Sequence, residues 1–279
     1  MIVVGVDGSV AARAAVEWAA ADAVRTREPL RIVHAVDRTP YQVGRFPTPV
    51  LPDALLREGR RILDEAVALV RERQPHVEVE TREVEGAPAV VLREEAEGAS
   101  EIVVGGRGLG GFAGALLGSV STHVAGHVRC PAVVVRAARQ PACGEIVVGV
   151  DDSPECRPAL AYAFRQAGLR GAKLRAVHAW QLPVHAFAPE IAYDVDEIRA
   201  AQHELVAAAL EPFRAEHPAV EVIEETHSGH PVDVLTAAGA QADLVVVGSH
   251  GRGAMGSALL GSVSRGVLHH ARCAVAVVR

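Results

Sequence analysis

Lys173 is the only lysine among 279 residues. No Gly-Lys-Ser/Thr phosphate loop can be written, which excludes the P-loop nucleotide triphosphatases. Cysteine is scarce as well. Cys130, Cys143, Cys156 and Cys273 form no CxxC pair and are too few for the disulfide framework of a small secreted domain, so a reducing compartment is expected. No apolar run approaches the ~18 residues of a membrane span. The opening MIVVGVDGS carries no basic leader, so a cytoplasmic address without membrane contact is expected. Excess positive charge is missing too: a formal charge of −6 argues against nucleic acid or anionic lipid held through bulk charge. Any bound anion must be held locally.

One scarcity is regional. From Ile102 to Gly144, and again from Leu244 to Arg279, there is no Asp or Glu in a chain that has 34 of them. A local need to admit phosphate explains both gaps; the alternative is that buried strands and helices simply exclude acids.

What is present is written twice. IVVGVDGS at 2–9 returns as IVVGVDDS at 146–153, and LRIVHAV at 30–36 returns as LRAVHAW at 174–180. GGRGLGGFAGALLGSVS at 105–121 returns as GSHGRGAMGSALLGSVS at 248–264, and 17 of the 32 positions in 105–136 are identical in 248–279. A period this long is a whole domain rather than a solenoid unit. Two tandem domains, 1–138 and 144–279, are expected around the linker AARQPACG.

Within each half, short β-branched runs alternate with longer helical stretches, which predicts an α/β domain with a parallel sheet. IVVGV, EIVVG and PAVVV are continuous rather than alternating, as strands covered on both faces are. Helices are expected over 10–27, 53–74 and 88–97, with Pro88 in a first turn and Ser119 as the N-cap of a fourth. Five strands per half result. The proline-containing stretches 37–52 and 181–193 are candidate flaps beside a ligand.

In open α/β sheets ligands bind beyond the carboxyl ends of the strands, where strand order switches. Strand four of the first half ends at Val104 and Gly105 and runs through Gly106, Gly108, Gly110, Gly111 and Gly114 to Gly118 and Ser119. The skeleton is GxxG, nine residues, GS, and it recurs at Gly248, Gly251, Gly261 and Ser262. Glycines lack Cβ atoms and permit positive φ, so successive amides can face one anion while a helix N-terminus adds positive potential. The result is a phosphate cradle without lysine. Ser121 and Ser264 could also donate a hydroxyl to phosphate or metal. Asp7 and Asp151, after the first strand of each half, can bond ribose hydroxyls, cap a helix or contact a phosphate-bound metal. Ser9 and Ser153 read as helix N-caps before ligands.

Competing motifs are weaker. A GxGxxG string at Gly106, Gly108 and Gly111 follows the fourth strand, not the first, and the acidic ribose partner is absent, so a dinucleotide fold is rejected. His123 and His127 have helical spacing, but the repeat has Gly266 for His123 and no zinc site is expected. His34 and His178 end the second strands and read as structural. No catalytic residue is assigned.

GVDGS and GVDDS, VHAV and VHAW, and the two glycine loops together give a chain that resembles tandem universal stress proteins of the ATP-binding type found in bacteria, over both halves. The resemblance implies five-stranded parallel sheets of order 3-2-1-4-5, with ATP, ADP or AMP lying across the ends of strands one and four, accompanied by magnesium. In the first half Gly5, Val6, Asp7 and Ala35 would line adenosine, Gly105, Gly108, Gly118, Ser119, Val120 and Ser121 would hold phosphates, and Val104 and Gly110 would also contact the nucleotide. The second set would be Gly149, Val150, Asp151, Ala179, Val247, Gly248, Gly251, Gly253, Gly261, Ser262, Val263 and Ser264. The family also implies pairing of the two domains through their fifth strands, AVVVR and VAVVR, and allows a homodimer. A nucleotide-dependent sensor is the expectation; a slow magnesium-dependent ATPase and a nucleotide-free scaffold are the alternatives. Asp152 for Gly8, His250 for Arg107 and Arg252 for Leu109 are departures between the halves.

Overall fold

The computed structural model describes residues 1–37, 50–108, 117–137, 142–153, 156–181, 194–251 and 260–279, with the side chains of 50–52 left aside. Both candidate flaps fall largely outside these residues. The chain separates into two compact units, Met1–Arg139 and Gln140–Arg279.

The first unit runs β1 (Ile2–Val6), α1 (Val10–Thr26), β2 (Leu30–Val36), α2 (Val50–Arg73), β3 (Val79–Glu85), α3 (Pro88–Glu95), β4 (Glu101–Gly105), α4 (Ser119–His127) and β5 (Ala132–Val135). Its strands pair in parallel in the order β3-β2-β1-β4-β5. The order reverses between β1 and β4, and that places the switch point at the carboxyl ends of those two strands. The continuous apolar runs are buried throughout: every residue of β1 and β5 is buried, and so is β4 up to Val104.

Small side chains decide how α1 sits. Its buried face is Ala11, Ala12, Ala15, Val16, Ala19, Ala20 and Ala23, so the helix axis can approach the sheet closely. Ser9 caps it, its hydroxyl oxygen accepting the Ala12 N–H at 3.1 Å. Arg27 ends it in the left-handed region, φ 56°, with its N–H on the last turn. Ser9→Ala is expected to cost about 1 kcal/mol of first-domain stability, read as a lower urea midpoint with unchanged slope.

The second unit repeats the plan with β6 (Glu145–Gly149), α5 (Cys156–Arg170), β7 (Lys173–Trp180), α6 (Val195–Glu216), β8 (Val222–Ser228), α7 (Pro231–Ala238), β9 (Leu244–Gly248), α8 (Ser262–His270) and β10 (Ala274–Val278). The order is β8-β7-β6-β9-β10, again all parallel. The duplication extends to ion pairs near the strand starts. Arg31 bonds Glu80 at 3.1 Å and Glu95 at 3.2 Å, while Arg175 bonds Glu225 at 3.0 Å and Glu145 at 3.4 Å.

Candidate functional site

At the carboxyl end of β1 the chain must turn sharply into α1. Gly8 does this at φ +82°, where only glycine avoids a steric cost, and the Asp7 Oδ1 accepts the Ser9 N–H at 3.0 Å across the turn. The Ser9 hydroxyl reaches the carbonyl of Arg107 at 3.3 Å, tying the start of α1 to the loop that leaves β4.

That loop is held by backbone bonds. Gly106 donates its N–H to Val135 and accepts the Gly118 N–H, both at 2.8 Å, so the exit of β4 and the entry of α4 are clamped together. The first helical bond of α4 runs from the Thr122 N–H to the Gly118 carbonyl. The amides of Ser119, Val120 and Ser121 therefore have no acceptor within the helix, and they sit at its positive end.

Around these elements lies a cavity of about 500 Å³. Every described candidate of the first half lines it: Gly5 and Val6 from β1, Asp7 just after it, Ala35 from β2, Val104 and Gly105 from β4, Gly108, and Gly118 to Ser121. Gly110 lies outside the described residues. Sequence reasoning missed Ala12, Val33, Pro88, Leu92, Arg107 and Leu117, which also line the wall. Val33, Pro88 and Leu92 supply apolar surface, suited to a flat heterocycle. Arg107 and the α4 amides supply positive potential, suited to an anion. Asp7 is the one carboxylate among the described lining residues.

Three local expectations are corrected. Gly118, not Ser119, is the N-cap of α4; Ser119 is its first residue and makes no capping bond. Gly105, Gly106, Gly108 and Gly118 are not in the left-handed region, so it is the missing Cβ that matters there. A Cβ on Gly108 would collide with Asp7 Oδ2, and one on Gly105 would come within 2.7 Å of the Ala11 backbone. The Ser121 hydroxyl donates to the Gly105 carbonyl at 2.8 Å and is buried, so its proton serves the loop rather than a ligand. Ser264 does the same toward the Ser249 carbonyl at 2.9 Å.

The second unit reproduces the clamp. Gly261 donates to the Ser249 carbonyl at 2.8 Å, Ser249 donates to Val278 at 2.7 Å, and a Cβ on Gly251 would lie 2.8 Å from Asp151 Oδ2. Gly149, Val150 and Asp151 close β6, Ala179 lies near the end of β7, Val247 and Gly248 end β9, and Ser262, Val263 and Ser264 open α8 with Gly261 as cap. Gly253 lies outside the described residues. The turn after β6 differs: Asp152 is not in the left-handed region, and the Ser153 hydroxyl bonds Asp151 Oδ1 at 2.5 Å instead of reaching the glycine loop.

The remaining candidates are structural. His34 and His178 place Nδ1 at 2.8 and 2.7 Å from the carbonyls of Val6 and Val150, fixing the ends of the first strands. His123 and His127 stack at 4.0 Å, and burial lowers the pKa of His123 from its ordinary value. Burial pushes the Cys130 and Cys156 thiols up to about 11, which makes both poor nucleophiles.

The model of the Universal stress protein family matches residues 1–136 and again 144–279. The chain belongs to the universal stress protein family. Universal stress protein Rv2005c of Mycobacterium tuberculosis is 35% identical over all of this chain and 96% of its own length. A universal stress protein of Archaeoglobus fulgidus superposes with a TM-score of 0.72 at 22% identity, covering 100% of this chain and 95% of that one, a likeness of fold. A universal stress protein solved in complex with cAMP matches 49% of this chain and 97% of its own at 32% identity, with a TM-score of 0.40.

Proposed function

We propose that each domain binds an adenine nucleotide across the ends of its first and fourth strands, and that occupancy makes this universal stress protein a cytoplasmic, nucleotide-dependent regulator rather than an enzyme. One observation carries the reading: in the first domain a cavity of about 500 Å³ joins apolar walls to an arginine and a helix N-terminus stripped of intrahelical acceptors. That volume is typical of small-molecule sites, commonly about 300–1,000 Å³. A mononucleotide matches the chemistry, with its base on Val33, Pro88 and Leu92 and its phosphates on the amides of α4. The second domain repeats the clamp, which supports a second site.

Binding is favoured over hydrolysis because the described wall residues offer Asp7 alone to orient water, and its Oδ1 already takes the Ser9 N–H. Magnesium fits as a companion of the polyphosphate, not as a resident ion. Asp7 is the one carboxylate among the described lining residues, and the described residues hold no cluster of three or more His, Cys, Asp or Glu that would cage the ion.

The decisive experiment is to denature the purified protein and chromatograph what it releases, then to melt the stripped protein with ATP, ADP and AMP. Released adenine nucleotide is expected, with stabilisation of about 2.7 kcal/mol per site at a hundredfold excess of ligand over Kd. An empty protein whose melting no nucleotide raises would leave a scaffold. Steady phosphate release that vanishes with Asp7→Ala and Asp151→Ala together would make it an ATPase.

A further inference from the structure

Arg107 and His250 occupy the same corner of their domains. The Cα of Arg107 lies 3.6 Å from where a Cβ on Gly118 would stand, and the Cα of His250 lies 3.3 Å from the equivalent point on Gly261. Both therefore abut the cap of the helix whose amides form the proposed phosphate cradle. We propose that His250 is the residue that sets the second domain's grip on a nucleotide's phosphates and makes that grip depend on pH, whereas Arg107 holds the first domain's grip constant. The inference rests on the nucleotide reading above.

The cation at the first site is available. Arg107 is exposed, lines the cavity, and forms no ion pair among the described residues, unlike Arg31 and Arg175 with two carboxylates each. A guanidinium stays charged at any physiological pH. His250 is half-buried, with Nδ1 3.1 Å from the Ser249 hydroxyl. That hydroxyl can donate to the neutral ring and accept from the charged one, so protonation sacrifices no hydrogen bond. Imidazole is the ordinary side chain that changes charge between about pH 5 and 8.

The charged groups at this corner include Arg265, whose backbone N–H bonds the Gly261 carbonyl, and Arg279, which follows the Val278 carbonyl that accepts the Ser249 N–H. Asp151 and Asp152 lie on the loop after β6, His230 caps α7 with its Nδ1 accepting the Val232 N–H, and Arg252 lies outside the described residues. Carboxylates and guanidinium keep their charges over this interval, which leaves the two histidines as the groups able to titrate. His230 already uses its ring nitrogen as an acceptor for the helix, so the readout must separate it from His250.

The sign is fixed by linkage. Bound phosphate favours imidazolium over the neutral ring across about pH 5 to 8. Affinity is full on the acid side and falls as pH rises through that range.

Calorimetric titration of the full chain with ADP tests this. One of two sites should weaken about tenfold between about pH 6 and about pH 8, the worth of one charge-assisted hydrogen bond. The titration of ADP's own terminal phosphate acts on both sites alike. His250→Arg should remove the pH-sensitive site, Arg107→His should make both sensitive, and His250→Asn should hold the second site at its alkaline affinity throughout. His230→Asn should change none of this; if it abolishes the sensitivity, His230 is responsible and the proposal falls. Two sites with matching profiles, unmoved by the exchanges, would overturn the assignment while leaving nucleotide binding intact. No ADP heat at any pH would overturn the binding reading itself, and this inference with it.

Discussion

Valine at position 105 is expected to unfold the first domain's sheet from its first helix. A Cβ on Gly105 would stand 2.7 Å from the Ala11 carbonyl carbon, 2.8 Å from the Ala12 nitrogen and 2.9 Å from the Ala11 oxygen. All three are backbone atoms, so no rotamer change relieves the contact. The helix must lift away, which breaks the packing of Ala12, Ala15 and Val16 on β1 and β4. Overpacking of a rigid contact costs about 1–3 kcal/mol and sometimes more. Two bulky methyls against main chain belong at the top of that range. A drop in melting temperature of roughly 10 °C follows for a domain of this size. Trp18 in α1 reports the event by fluorescence. Gly168→Ala provides the contrast: that glycine lies inside α5, where a Cβ would meet only Val220 at 3.8 Å. It should stabilise by up to about 1 kcal/mol through helix propensity. An unchanged melt for Gly105→Val would mean that α1 does not sit against β4 as described.

Gly105 also shows how the sequence misleads locally while guiding globally. The sequence places it in a phosphate loop, and it does line the cavity, yet its lack of a side chain is demanded by the helix behind it. Periodicity along one segment cannot disclose that, because the constraint comes from Ala11 on another element. The strands were legible for the opposite reason. IVVGV and EIVVG are buried on both faces, so their signal lies in their own residues and needs no knowledge of neighbours. The site follows the same division. Asp7, Gly108 and Gly118 stood out because the motif is local and repeated. Leu92 and Val33 were missed because α3 and β2 bring apolar side chains to the cavity from far along the chain, and nothing in either segment marks them as other than core. Residue preference favours Ser119 as the cap; Gly118 takes that role with φ −80° and ψ 154°, its N–H clamped to the Gly106 carbonyl.

Leucine at position 118 should separate binding from folding. The backbone there is extended, a conformation open to any residue, and a Cβ would meet the Ser121 Oγ at 3.3 Å, the Gly106 oxygen at 3.5 Å and the Arg107 Cα at 3.6 Å. Those contacts are tight but bearable, so the fold should lose only about 1 kcal/mol, chiefly through a poorer cap. The isobutyl group beyond the Cβ has a different fate. Gly106, Arg107 and Ser121 close the way behind it, which directs its branches toward the cavity and over the amides of Ser119 and Val120. Screening two charge-assisted contacts at about 1.5 kcal/mol each should weaken nucleotide binding in the first domain at least about a hundredfold. Gly261→Leu should do the same in the second domain, where the Cβ would meet His250 and Ser249 at 3.3 Å. Titration of each single variant should then show one site of two, and the double variant none, while circular dichroism keeps its helical signal. Gly118→Ala, which adds the Cβ without the branches, should fall between wild type and leucine. If both leucine variants still bind two nucleotides at wild-type affinity, the phosphates do not rest on these helix starts, and the cavity serves some other ligand.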